Sequence, residues 1–250
     1  MEKDSEVNYI IEIATTDYAT TKEAVKGGAD RIELCAALTE GGTTPTYGMI
    51  KKCREDFEVA LFPIIRPRSG DFYYTEEEFD IMMQEVLLCK NVGCDGIVIG
   101  LLNRDGSIDI KRTQKLVDAV YPLEVTFHRA FDRCADPFAA LEVLIQIGCQ
   151  RILTSGQKST APEGATMIAA LIKEANQRIK IMPGSGVRKE NIKDLAQATG
   201  ATEFHSSLRG KQKSTMEYIH PSFALSEESY TNPFIDKEEV KAFRKALMKY

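Results

Sequence analysis

The sequence predicts a closed barrel of eight parallel β-strands alternating with α-helices, the (β/α)8 fold, on three observations. The chain has 250 residues, which is the usual length of one such barrel. A helix-like stretch ending in glycine is followed directly by a short strand four times, at Gly28, Gly93, Gly148 and Gly200. Each unit also holds a second strand-like segment, so four units give eight strands that alternate with helices.

The eight predicted strands are short, rich in β-branched residues and mostly apolar, as parallel strands covered by helices are. Alternating strands and helices imply parallel pairing with right-handed crossovers. An open, doubly wound sheet is the alternative arrangement. We place the strands at 9–14, 31–35, 59–65, 96–100, 123–128, 151–154, 179–182 and 203–206.

Three helices carry clear start signals. Thr75 and Glu78 form a capping box for a helix over 76–92. Asp136 precedes a proline at the first position of a helix that runs to about Ile147. Asp236 caps a last helix that ends near Met248.

No domain boundary is evident, so we expect one TIM-type barrel domain over residues 1–250. Its long irregular stretch, 208–235, follows the last strand and precedes a C-terminal helix at 236–248. A loop of this length in a compact domain is usually functional. It is expected to cover the mouth of the barrel or to contact a second subunit.

Composition narrows the functional class. The chain carries 32 basic and 37 acidic residues, a formal charge of −5, which argues against a general nucleic-acid binder. No apolar run approaches the roughly 20 residues that span a bilayer, and the polar, acidic N-terminus is unlike a signal peptide. Six scattered cysteines without a C-x-x-C pair indicate free thiols in a reducing cytosol.

Polar side chains interrupt or follow six of the predicted strands. A charge in a buried strand is costly unless it is paired, and barrel active sites lie at the C-terminal ends of the strands. The pattern therefore predicts a polar pocket at that mouth. Its candidate residues are Glu12, Glu33, Arg66, Arg68, His128, Arg129, Asp132, Ser155 and His205.

Four of these residues are candidates for catalysis. Glu12 or Glu33 would act as base and His128 as acid, with Asp132 beside them. The two carboxylates could instead form structural ion pairs inside the barrel, and His128 and His205 could be satisfied core residues.

The remaining candidates suit a small anion. Arg66 and Arg68 are expected to clamp a carboxylate or phosphate, although they could also form a solvated turn. Gly184, Ser185 and Gly186 follow the seventh strand, where barrels often bind phosphate. Arg129, Ser155, His205 and Ser206 would add donors, whereas a tight turn alone would also explain the glycines.

Five segments resemble signature blocks of the CutC family, the copper homeostasis proteins. They are RIELCAA at 31–37, EGGTTP at 40–45, PIIRPRSGDF at 63–72, VTFHRAFD at 125–132 and ILTSGQKS at 152–159. The resemblance covers roughly residues 9 to 210. It implies a barrel fold, a cytosolic location, a link to copper and a homodimer or larger homo-oligomer.

Three functions follow as hypotheses. Cu(I), which prefers thiolate ligands, could be held by Cys35 and Cys134, with His128 as a third ligand. Alternatively, the pocket could belong to an isomerase, epimerase or lyase acting on a small phosphorylated or carboxylated metabolite. A non-catalytic ligand-binding scaffold is the third. None of the three involves nucleic acid or a membrane.

Overall fold

Eight parallel strands form the centre of the molecule. The structure, a computed structural model, describes residues 8–223 and 230–247. The strands begin within two residues of the predicted positions, and several end earlier. Their bounds are β1 Ile10–Thr15, β2 Arg31–Leu34, β3 Ala60–Pro63, β4 Gly96–Ile99, β5 Glu124–Phe127, β6 Arg151–Thr154, β7 Lys180–Pro183 and β8 Glu203–Ser206.

The strands close into a barrel in chain order. Four are hydrogen-bonded as β3-β2-β1-β8 and four as β4-β5-β6-β7, all in parallel. Ile64 and Val98 form a parallel bridge between the two groups, and the Ile65 N–H donates to the Val98 carbonyl at 2.8 Å. β7 lies against β8 at the other junction. The predicted barrel is confirmed, and the open doubly wound sheet is excluded.

Helices surround the strands. The Thr75–Glu78 capping box at the start of α3 is confirmed, as is the Asp136 cap of α5. Asp236 accepts from the Glu238 N–H at the start of the last helix, whose predicted end at Met248 lies outside the described residues. The helices are α1 Tyr18–Lys26, α2 Tyr47–Asp56, α3 Glu76–Val92, α4 Ile110–Val120, α5 Pro137–Ile147, α6 Ala165–Ala175, α7 Ile192–Thr199 and α8 Lys237–Leu247.

The stretch 208–235 is more regular than predicted. β9 (Arg209–Lys213) pairs in antiparallel fashion with β10 (Thr231–Ile235). A short 3₁₀ helix lies at Pro221–Phe223, and 224–229 are outside the described residues. The expectation of an irregular loop was wrong because β9 is wholly exposed and polar, so it lacks the apolar alternation by which strands are recognised.

Within the described ranges, no helix is both long enough and apolar enough to cross a membrane.

An ion-pair network fills the N-terminal half of the barrel interior. Arg31 donates to Glu12 at 2.5 Å and to Glu203 at 2.7 Å, and Arg151 donates to Glu203 at 2.5 Å and Glu124 at 3.1 Å. Both arginines are buried, and each guanidinium lies over the ring of Phe62. The network forms a polar floor below the mouth, because Arg31, Glu124, Arg151 and Glu203 are all first residues of their strands.

Candidate active site at the barrel mouth

A cavity of about 380 Å³ opens at the C-terminal ends of the strands. Most of its lining residues end a strand or follow one, which is where an active site is expected in this fold. One carboxylate and four guanidinium groups line it. The polar, charged and aromatic side chains of the lining, with Gly186, include Glu33, Arg66, Phe72, His128, Arg129, Ser185, Arg188, His205, Ser206 and Arg209.

Glu12, His205 and Glu33 form a chain of ionisable groups at the bottom of the cavity. Parallel pairing places Glu12 beside His205 on β8, and Glu12 Oε1 lies 2.7 Å from His205 Nδ1. The other ring nitrogen, Nε2, lies 3.8 Å from Glu33 Oε2. Only His205 and Glu33 reach the cavity; Glu12 is fully buried below them. Glu12 therefore orients the imidazole, while Glu33 and His205 face a ligand.

The charges in this chain are set by burial and by neighbours. Burial would raise the pKa of Glu12, but Arg31 and His205 outweigh it and lower the pKa to about 2. Burial would lower the pKa of His205, but Glu33 and Glu12 outweigh it and raise the pKa. Burial raises the pKa of Glu33, and the nearby Glu12 adds to this effect. A carboxyl with a raised pKa beside an imidazole suits proton transfer near neutral pH.

His128 is held as a neutral imidazole. The ring caps the short 3₁₀ helix Arg129–Arg133, with Nδ1 accepting from the Ala130 N–H at 3.1 Å. Burial, then the nearby Arg66, lowers the pKa of His128 to about 3. An imidazolium acid at this position, as the sequence suggested, is therefore unfavourable at neutral pH.

The structure separates the two arginines of the predicted clamp. Arg66 lines the cavity, but its guanidinium donates to the carbonyls of Glu40, Gly42 and Gly70, which fastens two loops together. Arg68 is not part of the cavity and binds Glu78 at 2.5 Å, at the start of α3. Alternate residues share a face only while a strand continues, and β3 ends at Pro63.

Asp132 and Ser155 support the rim instead of lining it. The Asp132 carboxylate accepts from the hydroxyl of Thr154, from the N–H groups of Ser155 and Gln157, and from Arg129 Nε at 2.7 Å. Its oxygens are thus committed to holding the loop after β6. The half-exposed Arg129 side chain reaches the cavity and also donates to the fully buried Ser155 hydroxyl.

The loops after β7 and β8 form another wall. Ser185 and Gly186 line the cavity with positive φ angles of 77° and 71°. Gly184 lies behind them, where a Cβ would come within 2.4 Å of Leu153 Cδ1. The Ser206 hydroxyl donates to the Val187 carbonyl and accepts from Arg188. Gly186 requires glycine because of its positive φ angle, whereas Gly184 requires it because of its close neighbour.

Three charged or aromatic residues of the cavity lining were missed by sequence reasoning. Phe72 and Arg188 lie in loops after β3 and β7, and Arg209 begins β9. Arg188 is two residues beyond the Pro-Gly-Ser-Gly turn, which was a usable signal. Arg209 and Phe72 carry no such signal, because loop geometry alone brings them to the mouth.

The residues proposed for Cu(I) do not fit a metal ion. Cys35 Sγ donates to Glu33 Oε2 at 3.4 Å, whereas Cys134 Sγ lies 3.7 Å from Gln157 Nε2. Burial raises the pKa of both thiols, that of Cys134 to about 11, so neither is a ready thiolate. Within 8–223 and 230–247, no group of three or more His, Cys, Asp or Glu residues is arranged to hold a metal ion.

The CutC family model matches residues 9–210. The chain belongs to the CutC family. A CutC family protein of Parabacteroides distasonis is 48% identical, over 94% of this chain and 98% of the relative. The human relative, named copper homeostasis protein cutC homolog, is 43% identical over 87% of this chain and 80% of its own. The crystal structure of CutC from Streptococcus agalactiae matches with a TM-score of 0.76 and 32% identity, over 80% of this chain and 98% of that one.

Proposed function

We propose that this CutC family member is an enzyme that moves a proton on a small phosphorylated or carboxylated metabolite bound at the barrel mouth. One observation carries the proposal: Glu33 and His205 share a cavity with the guanidinium groups of four arginines. The cavity has the size of a small-molecule site. A buried acid–base pair beside a basic rim suits a negatively charged substrate.

The rim supplies the anion contacts. Arg129 binds Asp132 and Ser155, Arg188 binds Ser206, and Arg209 donates to the Leu38 carbonyl; each guanidinium has further N–H groups for a ligand. The chain as a whole carries a charge of −5. A basic cavity in an acidic protein concentrates its field at the mouth and draws in anions. The backbone at Ser185 and Gly186 adds a close approach for a phosphate or carboxylate.

Glu33 and His205, at the bottom of the cavity, supply the proton transfer. Glu33 would take a proton from a substrate carbon or oxygen, and His205, oriented by Glu12, would share or return it. Isomerisation, epimerisation or cleavage beside a carbonyl are the reactions that need this pair. The fold does not choose among them, since barrels support many chemistries.

A thermal-shift comparison tests the proposal. We expect at least one small phosphorylated or carboxylated compound, with phosphoglycolate and oxalate in the set, to raise Tm by about 5 °C near 100-fold Kd. Arg188→Ala should reduce the shift. The charge-matched control is Arg178→Ala, which removes a surface arginine that pairs with Glu142 away from the mouth. This variant should show the same ligand-induced rise in Tm as the native chain.

Two results would contradict the proposal: no stabilising anion, or equal stabilisation of the Arg188→Ala variant. Incubating the best ligand with the protein and following it by NMR separates an enzyme from a binding scaffold. Turnover that is lost in Glu33→Gln supports the enzyme, and tight binding without product supports the scaffold.

Cu(I) binding is the second candidate, and the names of the relatives are the observation that favours it. Because both thiols are buried and protonated, we expect Cu(I) titration against a chelator to give the same affinity for the native chain and for a Cys35→Ser, Cys134→Ser variant. A large loss of affinity in that variant would instead establish a cysteine-based copper site.

We also propose a cytosolic location and a homo-oligomer, which the family resemblance implies. All six cysteines are free and buried, which supports a reducing compartment.

A further inference from the structure

We propose that His128 acts as a neutral hydrogen-bond donor that stabilises an oxyanion on the substrate, which makes the substrate a carbonyl compound with an acidic C–H bond beside the carbonyl. This inference rests on the proposed function and deepens it. It assigns to His128 a role different from proton donation, and it selects the ligand class.

The tautomer follows from one hydrogen bond. Nδ1 accepts from the Ala130 N–H, so Nδ1 carries no proton and the neutral ring must carry its proton on Nε2. Gly100, directly after β4, leaves room for this ring position, since a Cβ there would come within 2.2 Å of His128 Cε1.

The donor has no protein acceptor. His128 is 5% exposed and lines the cavity, and its buried Nε2 makes no hydrogen bond to any described residue. Arg66 Nε is also buried without a partner. The ring of Phe72 packs against both groups, 5.0 Å from the imidazole and 5.1 Å from the Arg66 guanidinium carbon. The Nε2–H of His128, buried at the cavity wall, is therefore an unsatisfied donor that an oxygen atom of a ligand would complete.

A donor that remains neutral suits a developing negative charge. The carboxylate of Glu33 takes the proton from carbon, so that the C–H bond breaks and an O–H bond forms. The C–H electron pair becomes a carbon–carbon double bond, and the carbonyl pair moves onto oxygen. That oxygen accepts the Nε2–H of His128, which keeps its proton throughout. The proton on Glu33 then returns to a neighbouring carbon or oxygen.

Oxalate, a planar dianion that resembles an enolate, is the probe. Two variants separate the donor from the cap: Asn can accept from the Ala130 N–H but has no group at the Nε2 position, whereas Gln places an N–H donor near that position and loses the cap. We expect His128→Asn to bind oxalate about tenfold or more weakly, with Tm near that of the native chain. His128→Gln should stay within about threefold of native affinity.

The native protein provides an independent measurement. At pH 7, ¹⁵N NMR of the His128 ring should show a neutral imidazole with its proton on Nε2, and oxalate should shift that signal. An imidazolium or an unprotonated Nε2 would overturn the inference, as would native oxalate affinity in His128→Asn. Failure of oxalate to bind, while other anions stabilise the chain and respond to Arg188→Ala, would refute this role and leave the proposed function standing.

Discussion

At the scale of single residues, Glu12 links the stability of the barrel to its chemistry. One carboxylate oxygen binds Arg31 in the ion-pair floor, and the other binds His205 at the cavity. Both contacts are buried, so neither is weakened by solvent screening as surface pairs are. The group that orients the imidazole is therefore fixed by the same network that fills the barrel.

Glu12→Gln should destabilise the chain by about 3–5 kcal/mol at pH 7, because it leaves Arg31 without one of its buried partners. The pKa of Glu12 lies at about 2 in the folded protein, below its ordinary value of 4.5. Its contribution is therefore fully present above pH 4.5 and is lost as the pH falls toward 2. Urea unfolding between pH 7 and pH 2.5 measures both effects.

The control is Glu190→Gln, at an exposed carboxylate, which should leave the unfolding free energy within about 0.5 kcal/mol of native. Glu12→Gln should show a shallower loss of stability below pH 4.5 than the native chain. If Glu12→Gln and the native chain lost the same stability below pH 4.5, Arg31 and His205 would not be holding Glu12 ionised.

At the scale of secondary-structure elements, the regular parts were predictable and the loops were not. Apolar runs and glycine-ended helices identified all eight barrel strands, and Thr75 marked the start of α3 through local hydrogen bonds. Glu33 and His205 were recognised because a charge inside an apolar strand is unusual. These signals depend on neighbours within a few residues.

Loop-dependent features lacked such signals. Arg66 and Arg68 are two residues apart, yet one lines the cavity and the other binds Glu78, because the chain has already left the strand. Asp132 was a candidate for catalysis, but its carboxylate oxygens accept hydrogen bonds from the loop after β6. Arg209 reaches the mouth only through the path of the chain after β8. Such side chains are placed by tertiary structure, which one sequence does not reveal.

At the scale of the whole molecule, the barrel interior and the barrel mouth differ in charge, which the net charge of −5 does not show. The interior pairs Glu12, Glu124 and Glu203 with Arg31 and Arg151, so the floor is nearly neutralised. Four guanidinium groups line the mouth above it, against the single carboxylate of Glu33. An acidic chain thus presents a basic cavity, which attracts small anions and directs them toward Glu33 and His205.

The central claim is that the basic cavity at the barrel mouth binds a small anion. A crystal structure of the protein with phosphoglycolate, which carries both a phosphate and a carboxylate, tests this claim most directly. We expect the ligand in the cavity at the C-terminal mouth, with its phosphate at Arg188 and Gly186 and its carboxylate accepting from the Nε2–H of His128. A ligand in the separate cavity lined by Asn103, Asp109 and Val143, with the mouth unoccupied, would contradict it.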